Sequence, residues 1–385
     1  MVASETAHLL IVGPFDEASS KRIGDAAQAA ELAFVVVSRC EGTAAALDAA
    51  RPTAIVVKMD APGAELAFAQ IRSQARLSRV PVFGVAQESS DVAFLELFTW
   101  GGDDLVSIAS PFPMLKRIRA LPAAPATPAQ AVVEGAANAL PQAVVAGPVA
   151  RWRSVIGRAL HNGGFAVRFA TDLAEESVAD GVRVVVAARD LPEGGALAAL
   201  ERARSRGSLV PWVLVTAPKK IAESMAAIRS LGRVATMDAF APPENVLFVV
   251  NELLAPRGVD KRASPRLLYG TSVVFRVAGR PEDEVGFSYN VSAGGAYVRT
   301  LAPPDPGEEV WLELWPPRSE RRVRLAGQVA WRRPFGAFGA ATVPAGFGVR
   351  LTDGLSGDLD RWLAGCTSFG DSMLRIRATK PVVVE

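Results

Sequence analysis

The apolar residues of the first 120 positions form short continuous runs, and segments with helical periodicity lie between them. Runs rich in β-branched residues predict buried strands, and the amphipathic periods predict helices, of which Ala18–Glu31 and Met114–Leu121 are the first and last. The predicted strands are Leu9–Val12, Phe34–Val37, Ala54–Val57, Val80–Phe83 and Leu105–Val106. Strands that are apolar on both faces and alternate with helices indicate a parallel sheet covered on both sides.

The same α/β pattern recurs after a stretch rich in alanine and proline, residues 123–141, which has no periodicity and predicts a semi-extended linker. Asp60 precedes Pro81 by 21 residues, and Asp190 precedes Pro211 by the same number. This equal spacing predicts an internal duplication with an offset of about 130 residues.

Beyond about residue 257 the pattern changes to short strands of period two, separated by turns that contain glycine or proline. The predicted strands are Ser272–Val277, Gly286–Tyr289, Ala296–Thr300, Glu309–Trp315, Arg322–Trp331 and Gly346–Leu351. Six short strands with little helix between them predict a small closed or nearly closed barrel. A short terminal helix is predicted over Gly354–Leu363.

The predicted fold class is therefore α/β plus β, with two doubly wound parallel-sheet domains followed by a six-stranded β-barrel. The predicted boundaries are 1–122 for the first α/β domain, 123–141 for the linker, 142–257 for the second α/β domain, 258–367 for the barrel and 368–385 for a C-terminal tail. Each domain has enough apolar residues to bury a core of its own.

The charged residues nearly balance, with 42 Lys and Arg against 40 Asp and Glu and a formal net charge of +2. This balance gives no overall field for nucleic acid or an acidic membrane surface, so an anion site must be local. Two cysteines and two histidines argue against a disulfide framework, a metal centre and histidine catalysis. No apolar stretch approaches the roughly 20 residues that span a bilayer, and we expect a soluble, cytoplasmic protein.

Two short motifs near the start of the predicted barrel offer a binding site. Arg262 and Arg266 lie four residues apart in an extended segment that contains a proline. The planar fork of arginine can bond a phosphate bidentately, grip the O6/N7 edge of guanine or stack on a purine. Asn290, Ser292 and Gly295 follow as Asn-x-Ser-x-x-Gly, which places small polar groups and a permissive glycine on a tight turn. Together the motifs predict a site for a doubly charged nucleotide.

With these two motifs and the closing strand at residues 344–351, residues 260–365 resemble a PilZ domain, the receptor module for cyclic-di-GMP. The resemblance implies that Arg262, Arg266, Asn290, Ser292 and Gly295 bind cyclic-di-GMP. It implies a non-enzymatic signalling effector without metal or cofactor, with protein partners in bacterial motility, adhesion, polysaccharide or developmental control. We expect binding to order the arginine segment, which joins the second repeat to the barrel, and so to change the domain arrangement.

Each α/β repeat resembles a response-regulator receiver domain, whose fold is the flavodoxin-like doubly wound sheet. The acidic pair that holds Mg²⁺ in an active receiver is replaced by Gly13-Pro14 and by Gly147-Pro148, and the acceptor aspartate by Lys58 and Ala188. Without metal-binding carboxylates the phosphoryl transfer has no Lewis acid. The resemblance therefore implies two pseudo-receivers, whose apolar helix faces serve for docking or for a homodimer.

Three alternatives stay open at this point. The barrel could be a PilZ-like scaffold that binds no nucleotide and acts through protein contacts alone. Asp60 or Asp190 could accept a phosphoryl group, although a loop or helix-cap role is the simpler interpretation of each. Trp311, Trp315 and Trp331 fit core or rim packing, and one of them could instead offer a stacking face for a base.

Overall fold

The computed structural model of the protein contains two compact units. One unit combines the N-terminal repeat with the C-terminal barrel, although the second repeat lies between them in the chain, and the other unit contains the second repeat. The structure describes residues 8–29, 31–49, 51–77, 80–109, 112–120, 140–148, 151–173, 181–191, 194–239, 241–254, 264–336, 343–355 and 357–377.

The N-terminal repeat is a five-stranded parallel sheet flanked by helices. Its strands are β1 His8–Val12, β2 Ala33–Val37, β3 Ala54–Lys58, β4 Val82–Ala86 and β5 Asp104–Ser107. Its helices are α1 Glu17–Ala29, α2 Thr43–Ala49, α3 Ala64–Ser73, α4 Asp91–Trp100 and α5 Phe112–Ala120. The strand order β2-β1-β3-β4-β5 is the flavodoxin-like order, which confirms the predicted fold class for this repeat.

The central strand β3 shows why this sequence forms a covered parallel sheet. Ala54 to Val57 are completely buried, because alternate side chains enter the core beneath α2–α4 and the core beneath α1 and α5. Strand β4 begins at Val82, two residues later than predicted. Pro81 has no N–H for the ladder, and Asp103 Oδ2 accepts a hydrogen bond from the Val82 N–H at 2.8 Å.

The second repeat has the same architecture. Its strands are β6 Gln142–Ala146, β7 Ala166–Ala170, β8 Val182–Ala188, β9 Trp212–Thr216 and β10 Val234–Asp238. Within the described residues, its helices are α6 Arg151–Asn162, α7 Gly195–Ser205, α8 Ile221–Ala227 and α9 Asn245–Leu254. The order β10-β9-β8-β6-β7 is the flavodoxin-like order read from the opposite edge. Val82 and Trp212 begin the fourth strand of each repeat, 130 residues apart, as the predicted offset requires.

The C-terminal strands form a closed antiparallel barrel. They are β11 Leu267–Leu268, β12 Ser272–Val277, β13 Glu284–Ser292, β14 Gly295–Arg299, β15 Glu309–Leu314, β16 Val323–Arg333 and β17 Gly346–Gly354. The ring β13-β12-β15-β16-β17-β14 closes through the β13–β14 pair, which confirms the prediction of six barrel strands. The two-residue strand β11 lies outside the ring and pairs with β13.

Helix α10, Asp358–Arg377, is longer than the terminal helix predicted over Gly354–Leu363. Trp362 and Cys366 on this helix are buried in the core cluster of the barrel. This packing continues the helix past its predicted end at Leu363, although Gly365 and Gly370 lower the local helix propensity. Local propensity alone therefore places the end of α10 too early.

Most of the predicted linker and the predicted boundary at residue 257 lie outside the described residues. Within the described ranges, no helix combines the length and the apolar character that a membrane crossing requires.

Candidate functional site

The Asn-x-Ser-x-x-Gly motif forms a tight hairpin between β13 and β14. Ser292 ends β13 and pairs with Gly295, which begins β14, so only two residues form the loop. Asn290 pairs with Tyr297 further along the ladder. A β-bulge between Ser288 and Asn290 adds one residue to β13, and such a bulge bends the strand beside the motif.

A pocket of about 190 Å³ lies beside this hairpin. Arg266, Asn290, Ser292 and Gly295 all line it. The structure thus brings together four of the five residues that the sequence motifs single out. Arg262 lies outside the described residues, and its role stays a prediction.

Arg266 is held at the pocket by the chain that follows it. Leu267 and Leu268 pair with Val291 and Asn290 in an antiparallel ladder, which fixes the backbone immediately after Arg266 beside β13. Asn290 is only 4% exposed, whereas Arg266 is exposed. The site therefore combines a buried amide with a guanidinium at the surface.

Gly295 is required by the close approach of the neighbouring strand. A Cβ atom at this position would lie 2.2 Å from the carbonyl oxygen of Val349 on β17, which is far inside van der Waals contact. Gly294 faces open space, and neither glycine has a positive φ. Of these two glycines, Gly295 is therefore the one that the close approach of β17 requires.

Helix α10 fixes the backbone of Ser292. Its carbonyl oxygen accepts a hydrogen bond from Trp362 Nε1 at 3.1 Å and from Cys366 Sγ at 3.7 Å. Burial raises the pKa of the Cys366 thiol to about 12, so this sulfur stays protonated and can donate. The turn is therefore fixed by the barrel core before any ligand is present.

An aromatic pair lines the pocket next to the motif. The rings of Tyr297 and Trp331 are stacked, with centroids 4.9 Å apart and an interplanar angle of 29°. Trp331 lies opposite Gly348 in the β16–β17 ladder, and a Cβ at Gly348 would come within 2.6 Å of the indole nitrogen. The glycine thus lets the indole lie against β17. Of the three tryptophans considered from sequence, only Trp331 is at the pocket.

A second arginine, Arg350, also lines the pocket, and no sequence motif predicted it. It is exposed, and its Nη2 donates a hydrogen bond to Gln328 Oε1 at 3.2 Å. The described lining residues include two arginines and no acidic side chain. An anion that also presents a ring for stacking is the ligand class that this lining favours.

In the receiver-like repeats, a lysine lies beside each of the two aspartates that were considered as phosphoryl acceptors, Asp60 and Asp190. Lys58 Nζ donates to the carbonyl of Pro14 at 3.0 Å and lies 3.7 Å from Asp60 Oδ1. In the second repeat, Lys220 Nζ lies 3.0 Å from Asp190 Oδ2. Both aspartates thus have an internal cationic partner, which fits the structural role expected for them.

Residues 260–367 match the family model of the PilZ domain. This match confirms the resemblance inferred from the two motifs. A PilZ domain is a ligand-binding module without catalytic activity, and it implies a family of signalling effectors that bind cyclic-di-GMP. A search of curated protein sequences finds no match to this chain.

Similar solved structures include the inhibitor of motility of Bacillus subtilis, 20% identical, which matches over 31% of this chain and 57% of its own with a TM-score of 0.25. A chemotaxis response regulator of Vibrio cholerae is 16% identical over 29% of this chain and 98% of its own, with a TM-score of 0.27. The receiver domain of NtrX from Brucella abortus is 19% identical over the same shares, also with a TM-score of 0.27. Because these scores are low, the flavodoxin-like assignment of the repeats rests on their strand order.

Proposed function

We propose that this chain is a non-enzymatic signalling protein that binds cyclic-di-GMP in the pocket beside the β13–β14 hairpin. The observation that carries the proposal is the lining of that pocket, where Arg266, Asn290, Ser292 and Trp331 converge within a PilZ domain. Guanidinium groups bind phosphates or guanine edges, the amide can pair with a base edge, and the indole offers a stacking face.

Binding would order the segment that carries Arg262 and Arg266 against the barrel. That segment also follows the second repeat in the chain, so its order would limit the arrangements open to the repeat. The output is then a change in the surfaces available to protein partners of a motility, adhesion, polysaccharide or developmental pathway.

Calorimetric titration of the full chain with cyclic-di-GMP tests the proposal. We expect saturable binding by the wild type and a loss of about 10-fold or more in Arg262→Ala, Arg266→Ala and Asn290→Ala, because charge-assisted hydrogen bonds contribute about 1.5–3 kcal/mol. Arg276→Ala is the matched control. This arginine lies on the same barrel, is ion-paired with Asp283 at 2.7 Å and is not among the lining residues.

Two results would count against the proposal. One is the absence of binding heat with the wild type. The other is an equal loss of affinity in R276A and R266A, which would indicate a general effect of surface charge instead of a site.

A scaffold that binds no nucleotide is the alternative function. The observation that favours it is the edge strand β2, where Phe34, Val35 and Val36 are all exposed, since exposed apolar edges are typical of protein contact sites. Hydrogen exchange separates the two functions. Only the receptor function predicts that cyclic-di-GMP slows amide exchange across residues 260–295.

A further inference from the structure

The N-terminal repeat reaches the segment that carries Arg266. Asp91, the first residue of α4, accepts hydrogen bonds from the backbone N–H of Ser272 at 2.6 Å and from the hydroxyl of Thr271 at 3.1 Å. Thr271 and Ser272 are 1% and 5% exposed. Water cannot easily replace a lost partner at such buried groups, so the contact is costly to break.

The same segment is tied to the strand that carries the motif. The Thr271 N–H donates to Ser288 Oγ at 2.9 Å, and the Ser288 N–H donates to the Thr271 carbonyl at 2.8 Å. Ser288 Oγ in turn donates to the carbonyl of Tyr269 at 2.7 Å. Ser288 lies at the bulge, two residues before Asn290. A short chain of hydrogen bonds therefore runs from Asp91 through Thr271 to Ser288, which lies two residues before the pocket residue Asn290 on β13.

Aromatic contacts hold the other half of β13 against the repeat. Phe287 packs against Phe94 and Phe98 of α4, with ring centroids 5.1 and 5.5 Å apart. The guanidinium of Arg299 on β14 lies 3.4 Å from the centroid of the Phe98 ring. Phe287 and the pocket residue Asn290 are three positions apart on one strand. A displacement of α4 would therefore shift β13, the strand that carries Asn290.

We propose that Asp91 is a positioning residue for the ligand pocket, supplied to the barrel by the N-terminal repeat. It fixes residues 267–272 while Asn290 pairs with the start of that segment, so Arg266 is presented to the ligand at a lower entropic cost. Docking of the repeat and binding of the ligand then stabilise each other, and the coupling is reciprocal. This inference rests on the proposed function for the identity of the ligand.

Titration of the full chain with cyclic-di-GMP measures the coupling. Because coupling between sites typically changes affinity by about 5–150-fold, we expect Asp91→Ala to weaken binding by at least about 5-fold. Glu96→Ala is the matched control, since it removes one carboxylate from an exposed position of the same helix. Asp91→Asn keeps a carbonyl oxygen for the Ser272 N–H and should recover most of the affinity.

Hydrogen exchange supplies a readout that general destabilisation would not produce. In ligand-free D91A, we expect faster exchange at amides 267–272, while β15 and β16 keep their protection. In the wild type, we expect cyclic-di-GMP to slow exchange in α4 as well as at the pocket. The second comparison needs no variant, so it decides the matter even if D91A fails to fold.

The outcomes are distinguishable. Equal affinities in the wild type, D91A and E96A, or no ligand effect on exchange in α4, would overturn the coupling and leave ligand binding intact. A wild type that binds no cyclic-di-GMP would overturn the proposed function and the coupling with it.

Discussion

Asp104 and Arg117 form an ion pair with 2.9 Å between Oδ2 and Nη1, and their side chains are only 2% and 1% exposed. The carboxylate also accepts a hydrogen bond from the N–H of Leu301 at 2.9 Å, and Arg117 Nη2 donates to the carbonyl of Val285 at 2.5 Å. Both of these partners belong to the barrel region. The pair therefore joins the N-terminal repeat to the barrel.

Asp104→Ala should reduce the free energy of unfolding by about 3–5 kcal/mol, because it leaves the Arg117 guanidinium buried without its counter-charge. Urea unfolding followed by circular dichroism measures this change. Asp25→Ala is the control, since it removes an aspartate from an exposed pair with Lys21 on α1 and should change stability little. Similar stabilities of the two variants would contradict the joining role of the buried pair.

Gly295→Ala should destabilise the barrel by about 1–3 kcal/mol, because the new Cβ meets the backbone of β17 and can be relieved only by moving a strand. Gly294→Ala is the neighbouring control. It meets open space at an ordinary φ and should change stability by less than about 0.5 kcal/mol. Thermal unfolding of both variants checks the difference. Equal unfolding temperatures would show that β17 can move enough to accommodate a Cβ atom at position 295.

Trp331→Ala should weaken cyclic-di-GMP binding by about 1–3 kcal/mol, the range measured when an aromatic platform for a base is removed. Trp311→Ala is the matched control, since Trp311 is 50% exposed on β15 and is not among the lining residues. Titration calorimetry on the full chain gives both affinities. If Trp331→Ala binds like the wild type, the indole only packs on Tyr297 and does not stack on the ligand.

Cys366 should be inert to thiol reagents in the folded protein at pH 8–9. Burial raises its pKa from 9.0 to about 12, and only the thiolate reacts. Between pH 9 and about 12 the Cys366 thiol therefore keeps its proton in the folded state, whereas the unfolded state loses it. The contribution of this thiol to the free energy of unfolding is full below pH 9 and is lost as the pH rises towards 12.

A colorimetric thiol assay with and without denaturant checks the inertness of both cysteines, since Cys40 is buried too and its pKa is also raised by burial. We expect reaction of two thiols per chain only after unfolding. Fast reaction of one thiol in the native protein would show that α10 opens readily from the barrel.

Much of the fold follows from local periodicity. Period-two strands predict the closed six-stranded ring, and continuous apolar runs predict both parallel sheets, because each pattern reports which faces of an element are buried. The same logic misses the start of β4 at Val82 and the continuation of α10 past Leu363. The Val82 N–H bonds the side chain of Asp103, and Trp362 and Cys366 of α10 pack into the distant core of the barrel.

The candidate site was predictable where a motif is compact. Asn290, Ser292 and Gly295 are close in sequence, and the turn brings them together. Arg350 and Trp331 reach the pocket from β17 and β16, and their positions depend on strand register, which no local pattern encodes.

The docking of the N-terminal repeat on the barrel was not predicted at all. Asp91 and Ser272 are 181 residues apart, and nothing in the spacing of either indicates the other. Asp104 likewise bonds Arg117 and the backbone of the barrel region, and no local pattern predicts the second of these contacts.

The discontinuous unit formed by the first repeat and the barrel has a consequence for synthesis on the ribosome. Helix α4 ends at Trp100 and β14 ends at Arg299, so about 200 residues are translated between the two surfaces. At a synthesis rate of about 5–20 residues per second, the phenylalanines of α4 remain without their barrel contacts for roughly 10–40 s. The nascent chain therefore passes through a stage in which the apolar face of α4 is exposed, and a chaperone or premature self-association can compete with the barrel for it.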